Sequence, residues 1–232
     1  MNIIQSLSPN FSDGRKKYDG QQENIFAIID HITAGLMPGT LSWLKNPAAE
    51  ASAHYLITKS GEIYQLVKDE DTAWHAGIVN KPNWSLYDQL RYNPNRWTIG
   101  IEHECVEGGE LTEAQYEATL WLHKQLISKW NIPIDRDHIV GHYRVDSVNR
   151  ANDPGRAFPW DRLIADLRGD DELATIPKGA TECKIEIGEK VFPGYVLTNT
   201  AYFRQGVSVR AVKEAMDRQI SWDTAGFKVV IK

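Results

Sequence analysis

The sequence predicts an α/β protein in which a large N-terminal domain is followed by a small α+β unit. Three observations carry that expectation. Strand-like runs recur at 25–30, 53–57, 62–67, 97–104 and 139–140, and stretches of helical character, above all 112–130, interrupt them. The run Ile25-Phe26-Ala27-Ile28-Ile29-Asp30 is apolar enough for a strand buried on both faces. Beyond residue 168 the chain changes character: Gly169-Asp170-Asp171-Glu172 and Pro177-Lys178-Gly179 mark a linker over 169–182, between domains at 1–168 and 183–232.

Taken in order, the first twenty residues are polar and turn-rich, and Arg15-Lys16-Lys17 reads as a solvated loop. After the strand that delivers His31, Thr40-Leu41-Ser42-Trp43-Leu44 is a short helix stopped by Asn46-Pro47. Residues 53–57 and 62–67 alternate in polarity around Lys59-Ser60-Gly61, the pattern of a hairpin. Residues 78–96, rich in Asn, Pro and aromatics, read as a long loop of the kind that lines a site. A strand follows from Trp97 to Glu104. Thr112 and Gln115 have capping-box spacing for a helix reaching Trp130, with apolar residues on more than one face. Ile139-Val140 is a strand, and 160–167 forms the last helix of the domain. The C-terminal part holds strands near 184–187 and 196–199, a helix near 209–216, and a hairpin pairing 219–222 with 227–231.

Composition narrows the classes. The chain has 232 residues, 42% of them apolar and 25% charged, as in a soluble globular protein. No apolar run approaches the roughly 18 residues of a membrane span. Met1 to Ser8 lacks a basic segment followed by a sustained apolar one, so no signal peptide is expected and the chain is placed in a cytoplasm. A net charge of -5 favours neither nucleic acid nor an anionic membrane as partner, and no obligate protein partner is inferred. Cys105 and Cys183 form no CxxC pair, so they read as ordinary buried thiols without a disulfide or a thiolate metal site.

All 7 histidines lie within the first 142 residues, which places any imidazole chemistry there. His142 follows Gly141 at the end of an apolar run, and Asp153 sits in a turn fixed by Pro154-Gly155. Imidazole nitrogen and carboxylate oxygen suit a borderline metal such as zinc, and a catalytic zinc site uses three protein ligands. His31, at the tip of its apolar strand, is the best third candidate; the alternative is three unrelated core or surface residues. Glu102 and Glu104 share one strand face under period-two geometry, and either could serve as a base. Trp74-His75-Ala76-Gly77 joins an aromatic, an imidazole and two small residues, and reads either as part of a site or as a packed turn.

Together these residues carry a resemblance. His31 at a strand end, Ser52-Ala53-His54-Tyr55, Gly61-Glu62-Ile63-Tyr64-Gln65, Trp74-His75-Ala76-Gly77, Ile99-Gly100-Ile101-Glu102, and Gly141-His142 with Asp153-Pro154-Gly155 resemble the type 2 N-acetylmuramoyl-L-alanine amidases. That family includes phage lysozyme-like amidases and peptidoglycan recognition proteins, and the resemblance covers about residues 22–168. It implies a central mixed β-sheet flanked by helices, with a zinc cleft on one face. It implies His31, His142 and Asp153 as ligands of Zn2+, Glu102 as catalytic acid/base, and His54, Trp74 and His75 as cleft residues that bind substrate. The implied substrate is bacterial peptidoglycan, cut between the lactyl group of N-acetylmuramic acid and the L-alanine of the stem peptide. Family members often carry lysine two residues before the third ligand; here that position is Ala151, and Arg150 is expected to stabilise the oxyanion in its place.

The C-terminal residues Val191-Phe192, Asn199-Thr200-Ala201-Tyr202, 207–215 and Ile220-Ser221-Trp222-Asp223 resemble the copper amine oxidase N-terminal-like domain. With no histidine there, no copper site is expected; an accessory role in holding the cell wall is, since tethering raises effective concentration on an insoluble polymer. One catalytic and one accessory domain without a signal peptide resemble a phage endolysin, held in the host cytoplasm until lysis. A host autolysin or recycling amidase, and a non-catalytic peptidoglycan-recognition protein, are the alternatives.

Overall fold

In the computed structural model the chain divides into two units, Met1–Leu167 and Arg168–Lys232. The structure describes residues 1–17, 20–168, 181–187, 190–197, 200–203, 220–223 and 228–231. The first unit is built on strands β1 (Ile3–Gln5), β3 (Ala27–Ile32), β4 (Tyr55–Ile57), β5 (Ile63–Gln65), β7 (Thr98–His103) and β8 (Ile139–Gly141). They form one mixed sheet in the order β1-β5-β4-β7-β3-β8. β4, β7, β3 and β8 run parallel, and β5 returns antiparallel to β4 through the expected hairpin. A separate antiparallel pair joins β2 (Phe11–Ser12) to β6 (Thr72–Ala73). The expected central mixed sheet flanked by helices is the fold observed.

Alternation on β3 sorts its side chains between two cores. Ile28 joins Ile99, Ile101, Tyr55 and Ile57 on the face covered by helix α3 (Glu113–Trp130), where Ala118, Leu122 and Leu126 meet them. Ala27 and Ile29 point the other way, toward Trp84, Trp97 and Val140. His31 therefore emerges on the second face, beside Glu102, its register partner on β7. At the N-terminus of α3 the Thr112 side chain accepts from Gln115 N at 3.1 Å, one half of the capping box. The reciprocal half is absent, because Gln115 Nε2 turns inward to Ile57 O at 3.0 Å and Glu104 O at 3.1 Å.

Two segments depart from expectation. Residues 78–96 are not all loop: they contain a helix α2 (Ser85–Leu90) and a 3-10 turn Pro94–Arg96. No side chain caps α2; it is held by packing of Leu86, Tyr87 and Leu90 against the Trp84–Trp97 core, which local sequence does not show. Arg15 is not solvated either. It is 1% exposed, and its guanidinium donates to the carbonyl of Asp69 on one segment and to those of Asn95 and Thr98 on another. The remaining α-helices among the described residues are α1 (Gly39–Leu44) and α4 (Trp160–Arg168), both near their expected places.

The 67–71 turn is tied to α3 by one carboxylate. Asp69, 2% exposed, accepts from the Tyr55 hydroxyl at 2.5 Å, Lys129 Nζ at 2.9 Å and Trp130 Nε1 at 3.1 Å. Asp69→Ala is expected to cost about 3 kcal/mol, since the stranded Tyr55 and Trp130 donors cost about 1–3 kcal/mol each. A urea midpoint equal to wild type would contradict this; Asp69→Asn, which keeps an acceptor, should lose less.

The described strands of the second unit are β9 (Thr181–Ile187), β10 (Lys190–Leu197), β11 (Thr200–Phe203), β12 (Ile220–Asp223) and β13 (Lys228–Ile231), in the order β11-β10-β9-β13-β12. β9 begins two residues inside the linker expected over 169–182, β12 and β13 pair as the expected hairpin, and the helix expected near 209–216 lies outside the described residues. Among the described residues, no helix is long and apolar enough to cross a membrane.

Candidate metal centre and cleft

The carboxyl ends of parallel strands are where open α/β sheets place their sites, and the candidate residues gather there. β3 delivers His31, β7 delivers Glu102 beside it, and β8 passes through Gly141 into His142. Asp153 is brought back over this end by its turn. Tyr143 N donates to Asp153 O at 3.1 Å, and Pro154 packs so closely on Gly141 that a Cβ there would lie 2.6 Å from Pro154 Cδ. His31, His142 and Asp153 each aim one ligand atom into a space where all three lie within 4.8 Å of one another.

The donor chemistry of this group fits a dication. His142 Nε2 lies 3.0 Å from Ala76 O, a carbonyl that can only accept, so the proton of a neutral ring sits on Nε2 and Nδ1 presents an electron pair. Asp153 Oδ1 is occupied by Ile32 N at 2.8 Å, which leaves Oδ2 directed at His142 Nδ1, 3.0 Å away, and His31 Nδ1, 3.5 Å away. The two Nδ1 atoms are themselves 3.0 Å apart. Two imidazole nitrogens and a carboxylate oxygen thus converge, the set that zinc takes in catalytic sites. Burial lowers the His31 pKa from its ordinary value, which keeps that ring neutral and able to coordinate.

Glu102 borders the same space. Its Oε2 is buried with no hydrogen-bond partner among the described residues. Burial pushes its carboxyl up to about 8, with Asp153 adding to the rise and Arg150 opposing it. Glu104, the other candidate base, is already employed: β7 ends at His103, and the Glu104 carboxylate accepts from Met37 N at 2.9 Å and Lys59 N at 2.8 Å. A cleft of about 470 Å³ opens over the group, and its lining includes the polar Glu102, Arg150 and Asp153 and the apolar Leu36, Trp43 and Trp74. Leu36 and Trp43 are 50% and 55% exposed, an apolar rim open to a ligand.

The three residues expected to bind substrate separate. Trp74 lines the cleft, its Nε1 held by Ser12 Oγ at 3.0 Å. His75 reaches the cleft wall but is 7% exposed, and its Nδ1 lies 3.0 Å from His31 Nε2, so it backs a candidate ligand. His54 does not line this cleft: it is fully buried, takes Gly100 N on Nδ1 at 2.9 Å, and packs against Arg15. Sequence reading missed Asn95, whose Oδ1 accepts from both His75 N at 3.0 Å and Ala76 N at 2.7 Å. The only local signal was its Asn-Pro-Asn surroundings, which mark a turn and not a clamp.

Comparison with known proteins agrees with this geometry. The family described as N-acetylmuramoyl-L-alanine amidase matches residues 21–156. The N-acetylmuramoyl-L-alanine amidase A of Achromobacter lyticus is 33% identical over 171 residues, 66% of this chain and 88% of that protein. The 1,6-anhydro-N-acetylmuramyl-L-alanine amidase AmpD of Salmonella typhimurium is 38% identical over 114 residues, and the chain spans 56% of its length. Among solved structures, the complex of the E. coli amidase AmiD with the substrate anhydro-N-acetylmuramic acid-L-Ala-D-gamma-Glu-L-Lys is similar with a TM-score of 0.52 and 26% identity, over 69% of this chain and 66% of that one.

Proposed function

This chain belongs to the N-acetylmuramoyl-L-alanine amidase family, and from that premise we propose that it is a zinc-dependent enzyme that hydrolyses the amide between N-acetylmuramic acid and the L-alanine of the stem peptide in bacterial peptidoglycan. The observation that carries the zinc reading is the convergence of His31 Nδ1, His142 Nδ1 and Asp153 Oδ2 within 4.8 Å, beside a buried carboxylate oxygen that has no partner among the described residues.

His31, His142 and Asp153 would hold the ion. When bound there, zinc supplies Lewis acidity toward the scissile carbonyl and lowers the pKa of water into the neutral range. Glu102 is the acid/base: its Oε2 takes a proton from the attacking water as the new C–O bond forms. As the C–N bond breaks, Glu102 returns that proton to the departing nitrogen of L-alanine. The products are the lactyl carboxylate on the glycan and a free amine on the peptide. Arg150, on the cleft wall, presents a guanidinium toward the negative charge that gathers on the carbonyl oxygen. Trp74, Trp43 and Leu36 offer apolar surface for the glycopeptide outside the reacting bond.

The relatives named above come from bacteria, and they support a bacterial amidase over a phage endolysin as the setting of this activity. The test is digestion of purified peptidoglycan, with released species followed by mass spectrometry. Stem peptides with a free N-terminal alanine and uncut glycan are expected from the zinc-loaded chain, and their yield should fall to background after chelation and return with added zinc. Release of disaccharides, or a yield indifferent to chelation, would refute the reading.

A further inference from the structure

We propose that His75 and Thr98 form an outer pair that sets the tautomer of His31, so that its Nδ1 electron pair points into the metal space. The proposal rests on reading His31 as a ligand, and its direction follows from counting protons.

The chain of bonds ends at Pro94, whose carbonyl can only accept. Thr98 Oγ1 donates its one proton to Pro94 O at 2.8 Å. Toward His75 Nε2, at 3.1 Å, the same oxygen must therefore accept, which places a proton on that nitrogen. The His75 ring is 7% exposed and packed among the imidazoles of His31 and His54, and as a neutral ring it carries no second proton. His75 Nδ1 is then an acceptor, and the partner it faces at 3.0 Å is His31 Nε2, which must donate. His31, as a neutral ring, is left with a bare Nδ1, the atom that faces His142 and Asp153. The donors run in one direction, from His31 to His75 to Thr98 to Pro94.

The surroundings fix this pair rather than merely permit it. The His75 ring lies on Gly100 of β7, where a Cβ would come within 2.3 Å of His75 Cγ. The rings of His31 and His75 meet edge to face, 5.2 Å apart at 85°. Asn95 clamps the backbone of residues 75 and 76, and Ala76 O orients His142 as His75 orients His31. One short segment thus aims both histidines, and Thr98 is the anchor that decides which nitrogen of His31 is bare. Partners of this kind typically change metal affinity by about 10–100-fold when removed.

The experiment compares the full chain with Thr98→Val, which keeps the shape and loses the hydroxyl, and with Thr98→Ser, which keeps the hydroxyl. Imidazole nitrogen shifts in the metal-free protein read the tautomers directly. His31 and His75 are expected as Nε2–H forms in wild type and Thr98→Ser, and as mixtures in Thr98→Val. Zinc affinity, measured by competition with a chromophoric chelator, is expected to fall about 10-fold or more in Thr98→Val and to stay within about 3-fold in Thr98→Ser. An Nδ1–H form of His31 in the metal-free wild type overturns the proposal even if neither variant folds. So does zinc binding by Thr98→Val equal to wild type. Wild type that shows the assigned tautomers but takes up no zinc instead overturns the ligand reading, and with it the metal half of the proposal.

Discussion

Glu102→Gln is expected to reduce the rate of stem-peptide release by about 10²–10⁴-fold, the usual contribution of a positioned acid/base. Zinc affinity should stay within about 3-fold of wild type, since Glu102 is not among the converging donors. The substitution keeps size and polarity but cannot take a proton from water or return one to an amine. Glu102 is suited to both steps because its Oε2 is buried without a partner among the described residues, and because burial pushes its carboxyl up to about 8, near the working range. Glu104→Gln is the contrasting variant. Its carboxylate braces Met37 N and Lys59 N, so loss of charge there should lower stability more than turnover. Retention of full activity by Glu102→Gln, with zinc bound, would remove Glu102 from the mechanism.

What the sequence showed of this site follows from how far each interaction reaches along the chain. β3 and β7 were legible because six-residue strands impose alternation, and alternation places His31 and Glu102 on one face. The choice between Glu102 and Glu104 was not legible, since it depends on β7 ending at His103 and on two backbone amides from distant segments. The same holds for β1, whose three residues pair with β5 some sixty positions away and carry too short a pattern to register. Arg15 read as solvated because a basic cluster has no local acceptor, whereas its actual acceptors are carbonyls at Asp69, Asn95 and Thr98. Histidines were the most ambiguous residues. His103 and His123 sit on the opposite face of the sheet, around the buried Asp30, where His123 Nε2 lies 3.2 Å from Asp30 Oδ2. Their spacing does not distinguish them from the histidines that line the cleft.

Asp153→Ala is expected to abolish zinc-dependent hydrolysis and to remove the stabilisation that zinc confers on wild type. Asp153 Oδ2 and His142 Nδ1 lie 3.0 Å apart, as do the two imidazole Nδ1 atoms, while Asp153 Oδ1 accepts from Ile32 N and His142 Nε2 faces Ala76 O. These donor atoms are held together by their backing: Ile32 N on the carboxylate, Ala76 O and His75 behind the rings. A dication taken up among these donors binds the folded chain and so shifts unfolding by mass action, by about 2.7 kcal/mol at one hundred times Kd. Thermal unfolding of wild type should therefore rise with added zinc and fall back with a chelator. Asp153→Ala lowers the ligand count to two and leaves Ile32 N without its side-chain acceptor, so its metal-free form should be less stable than metal-free wild type while its melting temperature ignores zinc. A zinc-dependent rise in Asp153→Ala as large as in wild type would place the ion somewhere other than between these three residues.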